Sequence, residues 1–296
     1  MNEVFIDGQH GTAGLRLAAL LRDHPGVESI GLPFEQRHDI ARRRACMERA
    51  ELVAFCLPAS QLDEALALVP ERRKVLDTSN RFRCDPGWTY GLPELGTQQR
   101  EAIATATRVS NPGCFATAFL LAVRPLVHAG VVSATDQVHC FALTGYSAGG
   151  KRMISAHEAG EYTGCLHGLD LDHRHLPEMT RYSGLETTPI FVPSVGAHRE
   201  GMHSVIPLCS EVTREELLAT YRKTHAGSPF VSVLDDSPKR LEPAFGDSNQ
   251  VTMYIHGQPG RHLVSVRLNN LMKGAAGTAC QNINLMLGLE QTEGLR

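Results

Sequence analysis

The feature that most constrains this chain is its opening segment. A short apolar run, Val4-Phe5-Ile6, closes in Asp7-Gly8, two further glycines follow at Gly11 and Gly14, and Leu15, Ala18, Ala19 and Leu21 then recur at helical spacing. Strand, glycine turn and helix in that order open a βα unit. The pattern continues with strands expected over 27–32, 52–57 and 75–76, and helices over 39–50 and 61–68. Strands alternating with helices imply a parallel sheet covered by crossover helices. After Asn111-Pro112-Gly113 the texture changes. A helix is expected over 114–128, then extended segments near 138–143, 190–192, 204–212 and 263–268, with helices over 215–225 and 278–289. The second half therefore reads as a largely antiparallel sheet carrying helices, and the fold class as α/β followed by α+β.

A length of 296 residues accommodates two such domains. The 29 basic and 32 acidic residues leave a net charge of −3, so no basic excess draws the molecule to nucleic acid or to an anionic membrane. Eight cysteines without a C-x-x-C pair read as reduced thiols in a cytosolic protein rather than a disulfide scaffold. Met1 runs straight into the first strand without a basic, apolar leader, and the longest apolar stretches, 116–123 and 251–255, are far short of the roughly 18 to 20 residues a membrane span needs. A soluble cytoplasmic protein is expected.

Gly8, Gly11, Thr12, Ala13 and Gly14 stand where a dinucleotide pyrophosphate is held, because glycine admits close approach of the backbone and the amides at the helix start carry the positive end of the dipole. The spacing is G-x-x-G-x-x-G, and a tight βα turn without a ligand reads the same way. Beyond the second strand Glu35 suits ribose hydroxyls, whereas Arg37 and Arg42-Arg43-Arg44 suit an extra phosphate. The arginines favour NADP(H), with Arg37 as the contact, although the triplet also reads as the wet face of a helix.

Cys114 follows a turn that Pro112 and Gly113 enforce and opens an apolar helix, where a thiolate is favoured. Cys46, Cys56, Cys84, Cys140, Cys165, Cys209 and Cys280 read as ordinary small side chains. A nucleophilic cysteine beside a nicotinamide domain links an acyl group, through a thioester, to an aldehyde. Such chemistry calls for a group that titrates near neutrality, and histidine is one. His173-Arg174-His175, near His167, is the densest cluster among 14 histidines; His198 and His203 form a second pair. Zinc on His167, His173 and His175 is an alternative, weakened by the absence of a cysteine or carboxylate at ligand spacing.

Seven segments in register resemble the N-acetyl-gamma-glutamyl-phosphate reductase family of arginine biosynthesis, in its shorter, type 2 subgroup. They are the glycine turn, Asp77 to Arg83, Tyr90 to Glu94, Asn111 to Thr117, Thr144 to Lys151, His173 to Glu178 and Asn270 to Gly277. The resemblance implies a fold similar to glyceraldehyde-3-phosphate and aspartate-semialdehyde dehydrogenases. An NADP-binding domain over 1–112 would be completed by a returning helix over 278–296, around a catalytic and oligomerisation domain over 113–277. It further implies NADP(H), a small acyl-phosphate substrate, and a homodimer or homotetramer. By position, Cys114 matches the nucleophile and His173 the acid/base. Arg83 matches an anion-binding arginine and Thr144 to Lys151 a loop bordering substrate and cofactor; Arg83 and Lys151 are the candidates for phosphate, Arg174 for a carboxylate, and Thr144 and His175 for further substrate contacts. Ser147, Gly149, Gln281 and Asn284 match positions near the cofactor.

Two departures stand out: Asn269 where the family usually has aspartate, and the segment 191–196, which differs from the longer subgroup. The alternatives are a reductase of another acyl phosphate, such as an aspartyl or aminoadipyl phosphate, and a nucleotide-binding protein without catalysis. The presence of both Cys114 and His173 weighs against the last.

Overall fold

The computed structural model describes residues 1–161, 163–242 and 245–295. The chain divides into two compact units, Met1–Pro112 with Ala275–Arg296, and Gly113–Gly274. In the first, strands β1 (Asn2–Asp7), β2 (Val27–Ile30), β3 (Leu52–Phe55), β4 (Lys74–Asp77), β5 (Thr89–Tyr90) and β6 (Arg108–Ser110) form a sheet in the order β2-β1-β3-β4-β6-β5. All its pairs are parallel. Helices α1 (Thr12–Arg22), α2 (Ile40–Arg49), α3 (Leu62–Leu66) and α4 (Thr97–Thr105) connect the strands. Successive strand residues enter different cores: Val4, Ile6, Leu52, Ala54 and Leu76 meet α1 and α4, while Phe5, Val53, Phe55 and Val75 meet α2 and α3. That alternation is why these strands read as continuous apolar runs: both faces are covered.

β2 stops two residues short of the expected boundary at 32. The Leu32 carbonyl leaves the ladder and accepts hydrogen bonds from Gln9 Nε2 (2.7 Å) and His10 Nε2 (2.9 Å) in the glycine turn.

The second unit contains α5 (Cys114–His128), β7 (His139–Gly145), α6 (Gly150–Glu158), β8 (Cys165–Leu166), α7 (Leu176–Ser183), β9 (Ile190–Gly196), β10 (Met202–Leu208), α8 (Arg214–His225), β11 (Val231–Val233), β12 (Val251–Gln258) and β13 (Arg261–Leu268). The sheet order is β11-β12-β13-β10-β7-β9-β8. It is mixed: β11 with β12 and β7 with β9 are parallel, and the other pairs are antiparallel. β10 ends at Leu208, paired with His262, rather than at 212. The Val212 carbonyl instead accepts from His262 Nε2 at 2.7 Å. One sheet face is buried through Ala142, Met202, Ile206, Val264 and Val266. The other carries Phe141 and Pro207 exposed and Leu143, Val192 and Val205 half-buried.

The chain then re-enters the first unit as α9 (Gly277–Leu287), whose Ala279, Cys280, Ile283 and Met286 complete the core against β1, β3 and β4. The expected helix over 278–296 is shorter than that. Gly288, at φ +72°, ends it by donating to the Leu285 carbonyl, and turns follow. Residue 296 of that range lies outside the described residues. No helix among the described residues is long and apolar enough to cross a membrane.

Candidate active site

The glycine turn is built for close approach. Gly8 sits at φ +90°, and a Cβ there would stand 2.5 Å from the Cys56 carbonyl oxygen. A Cβ on Gly14 would collide with the Gly8 carbonyl oxygen. Gly11 is the N-cap of α1, with no capping side chain and no acidic residue in the first turn, around Thr12 and Ala13. The helix start thus keeps both its dipole and its unoccupied donors for an anion. Beyond β2, Arg37 lays its guanidinium 3.6 Å from the Phe34 ring centre, and His10 meets the same ring edge-on at 5.3 Å. The arginine triplet is differently occupied: Arg43 binds the buried Asp7 carboxylate at 2.7 Å and Arg42 pairs with Asp39. Burial pushes the Asp7 carboxyl above the usual range despite the pull of Arg43.

In the second unit a cavity of about 400 Å³ is lined by Cys114, Thr144, Gly149, His173, Arg174 and His175, with His167, Asp170, Asp172 and Val195 among its other walls. Cys114 is the first residue of α5. Its N-cap is Gly113, no side chain caps the helix and no acid lies in the first turn. The Gly113 amide donates to Glu178 Oε2 at 3.1 Å, so a buried carboxylate holds the turn that precedes the cysteine. Glu178 Oε1 in turn lies 4.0 Å from His175 Nε2. Among the other cysteines, burial pushes Cys56, Cys140 and Cys280 up to about 12, which removes them as nucleophiles at neutral pH. Cys165 and Cys209 are exposed and do not line the cavity.

The two imidazoles of the His-Arg-His motif are held by aromatic edges. Phe115 stands 5.8 Å from His173 and 5.9 Å from His175, and Phe191 5.1 Å from His173. The His173 Nδ1 accepts the backbone N–H of His175 at 3.1 Å. The neutral ring consequently carries its proton on Nε2. Thr144, at the buried end of β7, is a further wall of the cavity, and its Oγ1 is a buried hydroxyl without a hydrogen-bond partner.

Other expected residues are placed differently. Lys151 is exposed on the first turn of α6 and lines no part of the cavity. Arg83 is buried in the first unit, where Nε donates to the Asn111 carbonyl at 2.9 Å. Ser147 is buried and its Oγ accepts from Asn270 Nδ2 at 2.9 Å. Gln281 and Asn284 are fully buried in α9, their amides donating to Glu94 and Gln291 and to the Glu293 carbonyl; these contacts anchor the segment after the helix. His198 bonds the Gly201 carbonyl, and neither it nor His203 lines the cavity. Burial and Arg267 push His203 down to about 4. His167, His173 and His175 lie ring against ring at 5.5 and 4.7 Å, and no trio of ligands suited to a metal occurs among the described residues.

The departure at Asn269 has a structural reason. Its Oδ1 accepts the Leu271 and Met272 amides, as an aspartate would, but its Nδ2 donates to Glu200 Oε2 and to the Gly246 carbonyl, both at 3.2 Å. An aspartate cannot make the second pair of bonds and would set two carboxylates together.

Glu178 is the residue that sequence reasoning passed over. It closes the His173–Glu178 motif, and a buried acid among histidines was the available signal.

Comparison with known proteins identifies the family and the fold. Residues 114–270 match the family described as semialdehyde dehydrogenase, dimerisation domain. An N-acetyl-gamma-glutamyl-phosphate reductase 2 of Pseudomonas putida is 37% identical, over 98% of both chains. One from a Nostoc species is 35% identical, over 99% of both. Among solved structures, aspartate semialdehyde dehydrogenase II of Vibrio cholerae superposes with a TM-score of 0.72 over 97% of this chain and 98% of that one, at 14% identity. The Candida albicans aspartate semialdehyde dehydrogenase solved with NADP gives 0.71 over the same shares, also at 14%. These structures share the fold.

Proposed function

The chain belongs to the N-acetyl-gamma-glutamyl-phosphate reductase family, and from that premise we propose that it reduces N-acetyl-L-glutamyl 5-phosphate to N-acetyl-L-glutamate 5-semialdehyde with NADPH, releasing phosphate, in arginine biosynthesis. The observation that carries the proposal is the cavity that Cys114, at a helix start without a capping side chain, lines together with His173, His175 and Thr144.

The Cys114 thiolate attacks the acyl carbon, and the bond from that carbon to the phosphate oxygen breaks, leaving a thioester. The Gly8–Gly14 turn would hold the pyrophosphate of NADPH, which would supply the hydride that reduces the thioester carbon. An oxyanion on the Cys114-bound carbon needs a donor, and the His173 Nε2–H is one whose tautomer is already set. Collapse to the aldehyde returns the thiolate, so this sequence asks His173 for a hydrogen bond rather than for a full proton. That is narrower than the acid/base role the family resemblance implies. Arg174 is assigned to the carboxylate and Thr144 and His175 to the remaining substrate polar groups, all three being walls of the cavity; for Arg83 and Lys151, which are not among those walls, a phosphate role rests on the family resemblance alone. Ser147, Gly149, Gln281 and Asn284 are assigned to the cofactor side.

The test is the reverse assay with phosphate and NADP+, run in parallel on N-acetyl-glutamate and aspartate semialdehydes. Preference for the acetylated substrate is expected; equal or better use of the aspartate compound would assign the chain to the other acyl phosphate.

Arg37 is assigned to the additional phosphate of NADP. Arg37→Ser should raise the KM for NADPH about 10- to 100-fold, the worth of a charge-assisted hydrogen bond, and leave that for NADH unchanged. A wild-type enzyme that uses NADH equally well would restore Glu35 as the ribose ligand.

The enzyme is assigned to the cytoplasm, where its eight cysteines remain thiols, and to a homodimer or a tetramer of such dimers. The open sheet face with Phe141, 45% exposed, and Val205 is the surface for a second copy, in keeping with the dimerisation domain that covers it. Phe141→Asp should weaken dimerisation by about a hundredfold or more, because an unpaired carboxylate would be buried. Sedimentation equilibrium reads this directly, and a wild-type monomer would remove the assignment.

A further inference from the structure

The turn that joins β13 to α9 touches the nucleophile from behind. A Cβ built on Gly274 would stand 2.7 Å from Cys114 Cβ, and 3.3 Å from both the Asn269 carbonyl oxygen and Leu268 Cδ1. The glycine is therefore boxed on three sides, one of them the reactive residue itself. The turn has little freedom to move away. Residues Met272–Ala276 form a π-turn, closed by the Gly274 amide on the Asn269 carbonyl at 3.0 Å, and the Asn269 Oδ1 accepts two more of its amides. Isolated π-turns of this kind recur at functional sites.

The same turn grips the opposite border of the cavity. Asn270 Nδ2 donates to Ser147 Oγ at 2.9 Å and Asn270 Oδ1 accepts the Gly201 amide at 2.8 Å. Ser147 lies three residues past Thr144, one of the residues that line the cavity. One short segment thus contacts the cysteine and ties down the strand end that faces it.

We propose that the 269–274 turn is a clamp that sets the position of Cys114 against the substrate cavity, with Gly274 as the seat and Asn270 as the tie, both acting as positioning residues. The inference rests on Cys114 being the nucleophile.

Gly274→Ala in the full chain tests it. A methyl group there displaces the cysteine by a fraction of an ångström to an ångström, and misplacement on that scale costs about a hundredfold in rate. We expect kcat to fall about 10- to 100-fold, with KM for the semialdehyde and the NADPH dissociation constant within twofold of wild type. Iodoacetamide should alkylate Cys114 at an altered rate with a shifted pH midpoint. A merely structural glycine would leave the alkylation profile in place. If Gly274→Ala does not fold, Asn270→Ala, which removes the tie and adds no atoms, should give the same kcat-against-KM split. Wild-type kcat and alkylation in the folded variant would overturn the clamp, as would losses of kcat and cofactor binding in equal measure. Cys114→Ser is run beside them: if it stays active the nucleophile has been misassigned, whereas an inactive Cys114→Ser with an unaffected Gly274→Ala removes the clamp alone.

Discussion

Cys114→Ser should lower turnover by about 10⁴-fold or more, the scale of loss when a covalent nucleophile is removed, while the fold and NADPH binding stay intact. The reason is ionisation. An anion at a helix start is favoured by about 0.3–1 kcal/mol, and more where it is partly buried. That margin is useful to a thiol, which titrates not far above neutrality, but not to a serine hydroxyl. NADPH affinity should persist because the Gly8–Gly14 turn belongs to the other unit. Cys165 and Cys209 are exposed and will also take up iodoacetamide, so the decisive reading is which modification follows the loss of activity and is blocked by substrate. Retained activity in the serine variant, or inactivation that follows another cysteine, would transfer the role.

The second large effect is expected at His173. His173→Asn should lower kcat by about 10² to 10⁴, the usual contribution of a positioned proton-bearing group, with little change in the NADPH dissociation constant. The fixed tautomer adds a sharper expectation. Since the His175 amide occupies Nδ1, the working atom is the Nε2–H. A glutamine, whose amide nitrogen reaches about that point, should retain more activity than the shorter asparagine. His175→Asn should lose less than His173→Asn, because its ring faces Glu178 at 4.0 Å and acts on the turn before Cys114 as well as on the cavity. Kinetics of the three variants decide the matter: a larger loss at His175 would move the role there, and equal losses in the Asn and Gln variants of His173 would argue for proton transfer in place of a fixed donor.

Much of the scaffold was legible in the sequence. The helix over 114–128 was legible because Pro112-Gly113 marks its start and fifteen mostly apolar residues follow. The parallel sheet was legible because its strands are apolar on both faces. α6 was not expected, since it opens on Gly149-Gly150, buries none of its residues fully and carries only Met153 and Ile154 as large apolar side chains on its inner face. α7 was hidden by the His-Arg-His motif at its entrance, which draws attention to chemistry rather than to structure. The strand ends at 32 and 212 were misjudged because long-range side chains, from Gln9, His10 and His262, take over the carbonyls there. Of the site, the turn and helix start at Cys114 and the His-Arg-His cluster stand out as local patterns, whereas His173 was singled out within that cluster only by the family resemblance. The carboxylate of Glu178 on Gly113 and the approach of Gly274 to Cys114 join residues 65 and 160 positions apart, which no local pattern encodes.

The path of the chain through its two units has a consequence for how the molecule comes to be folded. The second unit is one unbroken segment, whereas the first is completed only when α9 comes back after that segment has been made. Until then Val4, Ile6, Leu52 and Leu76 lack the Ala279, Ile283 and Met286 side chains that cover them. During synthesis the second unit is thus free to mature early, while the first waits as an open-faced sheet with apolar surface in water. Contacts spanning so much sequence are slow to form, and an exposed sheet of this kind is the species most prone to aggregate. The nascent first unit, rather than the one that bears Cys114, is where a chaperone would have its client.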